Sequence, residues 1–168
     1  MDNNLISRTR LFAARHQLEI DASEQPLGSG KDGIIMVAQN KVKPGKTAIK
    51  FFKDDEGYWR EKRVYERLKA KGVRLVNEFN TPQFLSHDND LLAIQMTIVK
   101  RPFVLDFASA HLDRRPDFDQ EIWDNWEADI REKFEDRWQT VKKILDVFED
   151  HGVYLLDVSP GNIGFPNP

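Results

Sequence analysis

Three clusters of residues have the side chains that phosphate chemistry needs: Gly28-Ser29-Gly30-Lys31-Asp32-Gly33, Ala48-Ile49-Lys50, and Asp157-Val158-Ser159-Pro160-Gly161-Asn162. Glycines at this spacing between two strands allow a tight hairpin bare of side chains, so that backbone amides can approach phosphate oxygens. The dinucleotide-binding form of the pattern requires the glycines to open a helix, with an acid about twenty positions on. Here β-branched Ile34 and Ile35 follow instead, and Lys50 stands at about that distance. The simpler alternative is an ordinary glycine-rich hairpin.

Lys50 ends an alternating strand, and Ala48 points to the same face, where a flat base could lie. Read alone, it is a solvated strand lysine. A carboxylate to hold it is available in Glu61, eleven residues downstream on a helix; Glu66, five positions further, does not share one narrow face with it. Asp157 and Asn162 stand five apart with Pro160 and Gly161 between them, a loop that can project both polar groups the same way, or simply a capped turn.

Taken together and in this order, the fragments resemble the protein kinase family. The resemblance implies an α+β fold: a kinase-like N-lobe over 1–100, with a five-stranded antiparallel sheet and one helix, then a mainly helical partial C-lobe over 101–168. It implies ATP as cofactor, gripped by Gly28, Ser29, Gly30, Gly33, Ile35, Ala48, Lys50 and Met96. Lys50, Glu61 and Asp157 would be catalytic, with Asp157 accepting or orienting a substrate hydroxyl, and Asn162 would bind Mg. The strand over 91–98, followed by Lys100-Arg101-Pro102, resembles the hinge that pairs with an adenine edge; Gln95 or Met96 would guard the back of the pocket, depending on register.

The chain departs from the family pattern in several places. Leu155-Leu156 stand where protein kinases usually carry His-Arg, and Ser159 stands where many carry a lysine. The interval to Glu61 is shorter than in many eukaryotic protein kinases, which points toward bacterial and small-molecule kinases. Six residues follow Asn162, whereas the metal-binding Asp-Phe-Gly would lie about a dozen residues on. The chain reads as a kinase cut short, with very weak or no turnover by itself. Three functions follow from the resemblance: a phosphotransferase to a protein Ser/Thr hydroxyl when completed by further sequence, a pseudokinase that binds nucleotide or a partner, and a small-molecule kinase.

The elements that must position these residues follow from hydrophobic period. Short β-branched runs over 26–33, 34–38, 47–52, 84–87 and 91–98 predict the five strands, and Trp59, Val64, Tyr65 and Leu68 predict an amphipathic helix over 55–71 closed by Gly72. After the seam near 100–102 the strand signal fades. Asp117-Phe118-Asp119-Gln120 reads as a capping box that opens one long helix to Asp150, closed by Gly152. Its stripe of Trp123, Trp126, Ile130, Phe134, Trp138, Val141, Leu145 and Phe148 predicts a face for a homodimer or a partner helix over 119–150, while Glu127, Asp129, Glu132 and Glu135 read as its solvated side. A strand over 153–156 delivers the Asp157 loop, with 163–165 as its returning partner.

Composition restricts the partners. In 168 residues with a formal charge of −3 there is no basic footprint for nucleic acid or for a membrane surface. There are no cysteines, so disulfides and thiolate metal sites are excluded. The start Met1-Asp2-Asn3-Asn4-Leu5 lacks a signal pattern and no apolar run reaches spanning length, so the expectation is a cytoplasmic protein.

Overall fold

The computed structural model describes residues 3–20, 25–42 and 44–166; residues 1–2, 21–24, 43 and 167–168 lie outside the described residues. In chain order the first elements are α1 (Asn3–His16), β1 (Leu18–Glu19), β2 (Gly28–Ser29), β3 (Gly33–Asn40), β4 (Lys46–Phe52) and α2 (Asp55–Ala70). Then follow β5 (Leu75–Val76), β6 (Phe79–Asn80), β7 (Phe84–Asp88), β8 (Ala93–Thr97), β9 (Phe103–Val104) and β10 (His111–Leu112). The chain closes with α3 (Gln120–Phe134), α4 (Trp138–Asp150), β11 (Val153–Tyr154) and β12 (Ile163–Gly164). The fold is α+β.

The residues group into two units, Met1–Lys62 with Gln83–Ile98, and Arg63–Pro82 with Val99–Pro168. The residues over 63–82 thus group with the C-terminal ones.

In the first unit an antiparallel sheet runs in the order β1-β3-β4-β8-β7, with β2 also paired to β3. Because side chains alternate along a strand, each face has its own cast. Met36, Ala38, Ile49, Phe51 and Ala93 form one core with Leu5 and Phe12 of α1. Burying a phenylalanine of this kind contributes about 1.5–3 kcal/mol, and Phe12 is fully buried. Arg8 fixes the helix further: its guanidinium donates to the carbonyls of Leu91 at 2.6 Å and Phe52 at 2.8 Å. Both α1 and β1 go beyond the expected architecture. The expected strand over 26–33 shortens to β2, because from Gly30 the chain already turns, with the Gly30 N–H donating to Gly33 O at 3.0 Å.

The second unit holds a small sheet in the order β12-β9-β6-β5 and the separate pair β10-β11. The predicted return of 163–165 onto 153–156 does not form: Ile163 pairs with Val104 of β9, and Val153 pairs with Leu112 of β10. Strands of two residues carry little register information of their own, so long-range partners decide.

The single helix predicted to open at the Asp117–Gln120 capping box and run to Asp150 is two helices. It breaks at Glu135, which closes α3 with φ 50 and ψ −119, and a short 3-10 turn over Glu135–Arg137 leads into α4. The Asp117 capping box does not form either: α3 starts after Asp119, whose side chain makes no capping hydrogen bond. The break lets Ile130 and Phe134 of α3 and Trp138, Val141, Ile144, Leu145 and Phe148 of α4 all become buried. Most of the expected exposed stripe is therefore core. Gly72 and Gly152 do end helices as expected, at φ 68 and 72, backbone angles that favour glycine. Among the described residues, no helix is long and apolar enough to cross a membrane.

Candidate functional site

The second face of the first unit's sheet carries the polar feature. Lys50 of β4 lies opposite Ile35 of β3 and Ile94 of β8, and Ala48 lies opposite Val37 and Met96. Strand parity therefore sets Ile35, Ala48, Lys50 and Met96 on one face. Gln95 turns to the other, where Nε2 donates to Thr47 Oγ1 at 3.0 Å and Oε1 accepts from Ser86 Oγ at 2.7 Å. The register thus separates the two residues that sequence left open, and Met96 is the one on the lysine's face.

Lys50 Nζ donates to Glu61 Oε2 at 2.6 Å, and the two side chains are only 8 % and 1 % exposed. The ammonium also lies 5.0 Å from the centre of the Phe52 ring, on the same face. Glu66, the other helical carboxylate considered, is exposed. Taking two charges out of water costs several kcal/mol per ion, about as much as their attraction returns. A buried lysine and glutamate are thus a poor device for stability alone, and what they do provide is an ammonium held in one position.

The glycine turn in the same unit has three different glycines. A Cβ on Gly33 would sit 2.2 Å from Phe51 O, so close strand pairing demands that glycine. Gly28 has room for one, with Ile35 Cδ1 at 3.5 Å, and Gly30 has nothing within 4 Å. Ser29 and Gly30 are exposed. Lys53 Nζ donates to Gly30 O at 2.8 Å and the Lys53 amide donates to Asp32 O at 3.1 Å. Sequence reasoning overlooked Lys53, although it lies one residue past the end of β4 and level with the turn that pairs beside it.

No family model matches this chain, and no curated protein matches it either. The chemistry therefore rests on the residues themselves.

The second unit, taken by itself, folds the Asp157 loop into a tight turn. Asn162 Nδ2 donates to Asp157 O at 3.1 Å, and the amides of Asn162 and Ile163 both donate to Ser159 O at 2.9 Å. Ser109 Oγ accepts from the Asp157 amide at 2.9 Å, and Trp126 Nε1 donates to Leu156 O at 3.0 Å. Neither Ser109 nor Trp126 was expected here; contacts made across so many residues leave no local pattern. With its backbone so held, Asp157 exposes its carboxylate while Asn162 is half-buried. The side-chain oxygen of Asn162 is the acceptor that remains once Nδ2 is committed.

Magnesium is bound by hard oxygen donors, commonly one or two carboxylates together with ligand phosphates. Among the described residues, no three His, Cys, Asp or Glu come together to hold a metal. The loop offers one exposed carboxylate and one amide oxygen, which do not make a magnesium site on their own.

Proposed function

We propose that this chain is a protein kinase-like nucleotide-binding protein, with ATP as the ligand. One observation carries the reading: the buried Lys50–Glu61 pair, on a sheet face shared with Ala48, Ile35 and Met96. The three apolar side chains would take the adenine, and the ammonium, steadied by Glu61, would meet the phosphates. The glycine turn would contribute backbone amides, with Lys53 as a second, exposed cation. Asp157 would be the group for a substrate hydroxyl and Asn162 a metal-facing amide.

The reading has two forms: a phosphotransferase, and a pseudokinase that binds without turnover. Phosphoryl transfer relies on metal ions to neutralise charge on the transferring group, and among the described residues no three His, Cys, Asp or Glu come together to hold one. The phosphotransferase form requires a further carboxylate to hold the main ion.

Calorimetric titration with ATP, with and without magnesium, tests the proposal when combined with a phosphate-release assay. ATP binding that survives removal of magnesium, falls on substitution Lys50→Arg and is accompanied by no phosphate release supports the reading. A folded protein that binds no adenine nucleotide overturns it, and rapid phosphate release overturns the pseudokinase form.

A further inference from the structure

The N-terminal half of α3 is unlike the rest of the helix pair. Only Ile130 and Phe134 of α3 are buried, while Ile122 is 49 % exposed and Phe118, just before the helix, is 44 % exposed. Between them runs an aromatic ladder: Phe118 and Trp123 have ring centres 5.4 Å apart, as do Trp123 and Trp126. Asp117, Asp119, Glu121, Asp124 and Glu127 lie in the same stretch, all exposed, with no lysine or arginine from 116 to 130, although Arg115 itself lies over the Trp123 ring. Among the described residues none of these five carboxylates is in an ion pair. Phe118 and Ile122 are thus exposed beside two half-buried tryptophans.

The surface already shows how it takes a cation. The Arg115 guanidinium lies 4.1 Å from the centre of a Trp123 ring, an arrangement in which the π-face attracts positive charge. Trp126 is held from behind by its bond to Leu156 O. Apolar anchors beside exposed carboxylates that make no ion pair complement one chemistry, a cationic chain with apolar side chains of its own. Nucleic acid and anionic lipid are repelled by these carboxylates. A second copy meeting this face by two-fold symmetry would set carboxylates against carboxylates.

We infer that this face docks a basic amphipathic segment of another protein, its apolar side chains on Phe118, Ile122 and Trp123 and its lysines or arginines on the exposed carboxylates. The inference stands apart from nucleotide binding. The probes are two short synthetic helical peptides, one with leucine and lysine faces, the other identical but with glutamate for lysine, titrated into the whole chain while tryptophan emission is followed. The lysine peptide is expected to bind, more weakly as salt is raised, and the glutamate peptide to bind far less. Substituting Asp124→Lys together with Glu127→Lys should weaken the lysine peptide about tenfold or more and reverse the preference, with the circular dichroism spectrum unchanged. Trp123→Ala should weaken it by a similar factor. No binding, equal binding of the two peptides, or indifference to the charge reversal overturns the inference. So does sedimentation as a dimer that the charge reversal alters, because the occupant would then be a second copy.

Discussion

Lys53 sets its ammonium on the carbonyl oxygen of Gly30 at 2.8 Å, so the cation recorded on the glycine turn comes from three residues beyond the lysine that the sequence pattern singles out. Lys50 is committed to Glu61 within the same unit. The two lysines of β4 and its end therefore have different tasks: one is buried and fixed, the other exposed and attached to the turn. An exposed lysine on a carbonyl is weakly held, and a phosphate would compete for it readily.

The three glycines of the turn should separate in mutagenesis. Gly33→Ala forces a methyl group against Phe51 O and should cost up to about 3 kcal/mol in urea denaturation. Gly30→Ala meets open space and should leave stability within about 0.5 kcal/mol. A loss of ATP binding by Gly30→Ala at unchanged stability would assign that glycine to the ligand. Equal destabilisation by both changes would contradict the geometry of the turn.

Breaking the buried pair from one side should be worse than removing it. Lys50→Met takes the ammonium away from Glu61, which is 1 % exposed, and should cost about 3–5 kcal/mol. The double change Lys50→Met with Glu61→Leu should recover much of that loss, because two apolar side chains need no solvation. Denaturation midpoints of the wild type, both single variants and the double variant complete the cycle. If the double variant is less stable than either single one, the pair is a stabilising contact and its value to a ligand loses this support.

How much of this was legible depends on the range of the interaction involved. Period-two alternation in Thr47-Ala48-Ile49-Lys50 marks β4 and the face of its lysine, and the helix over 55–71 carries Glu61 at a distance that local geometry can judge. The choice between Gln95 and Met96 needed the β4–β8 register, a pairing set across the chain. Helix α1 escaped notice because Arg8, Thr9, Arg10, Arg15 and His16 dilute its apolar residues, although Arg8 and Phe12 prove central to the first unit. The partner of β12 escaped for another reason: two residues of strand hold no pattern, and Val104 is nearly sixty residues away.

Stability should fall on mild acidification because of His16. Burial holds its imidazole below its ordinary value, with the Asp88 charge pulling up and the Arg15 charge pushing down. A histidine whose folded pKa is lowered binds protons more readily in the unfolded chain. Its contribution is therefore whole above about 6.5 and declines as pH drops from there toward the folded value. His16→Phe keeps a ring on Phe12, where the stacked centroids are 4.1 Å apart, and removes the titration. It should flatten the dependence of the urea midpoint on pH in that window. At Asp88 burial pushes the carboxyl up, but the hydrogen bond and charge of Arg15 and the Leu91 amide together hold it low. Its contribution is present above about 3.9 and is lost as pH falls through the still lower folded value, leaving the His16 window clear. An unchanged slope in His16→Phe would mean that another group titrates there.

The break between α3 and α4 gives the final test. Glu135 has φ 50 and ψ −119, angles at which an L side chain crowds its own backbone, yet neither glycine nor proline marks the place in sequence. That is why the 3.6-residue period reads as one helix through it. The conformation persists because Ile130 and Phe134 on one side and Trp138 and Val141 on the other bury their side chains only if the chain bends here. Glu135→Gly removes the crowding while keeping the N–H that donates to Arg131 O. The relief outweighs the added freedom of glycine in the unfolded chain, so the variant should be more stable by about 1 kcal/mol, read as a higher urea midpoint. Glu135→Ala, which retains a Cβ, should not gain. If alanine stabilises more than glycine, the helix is continuous through this residue and the break is not where the structure has it.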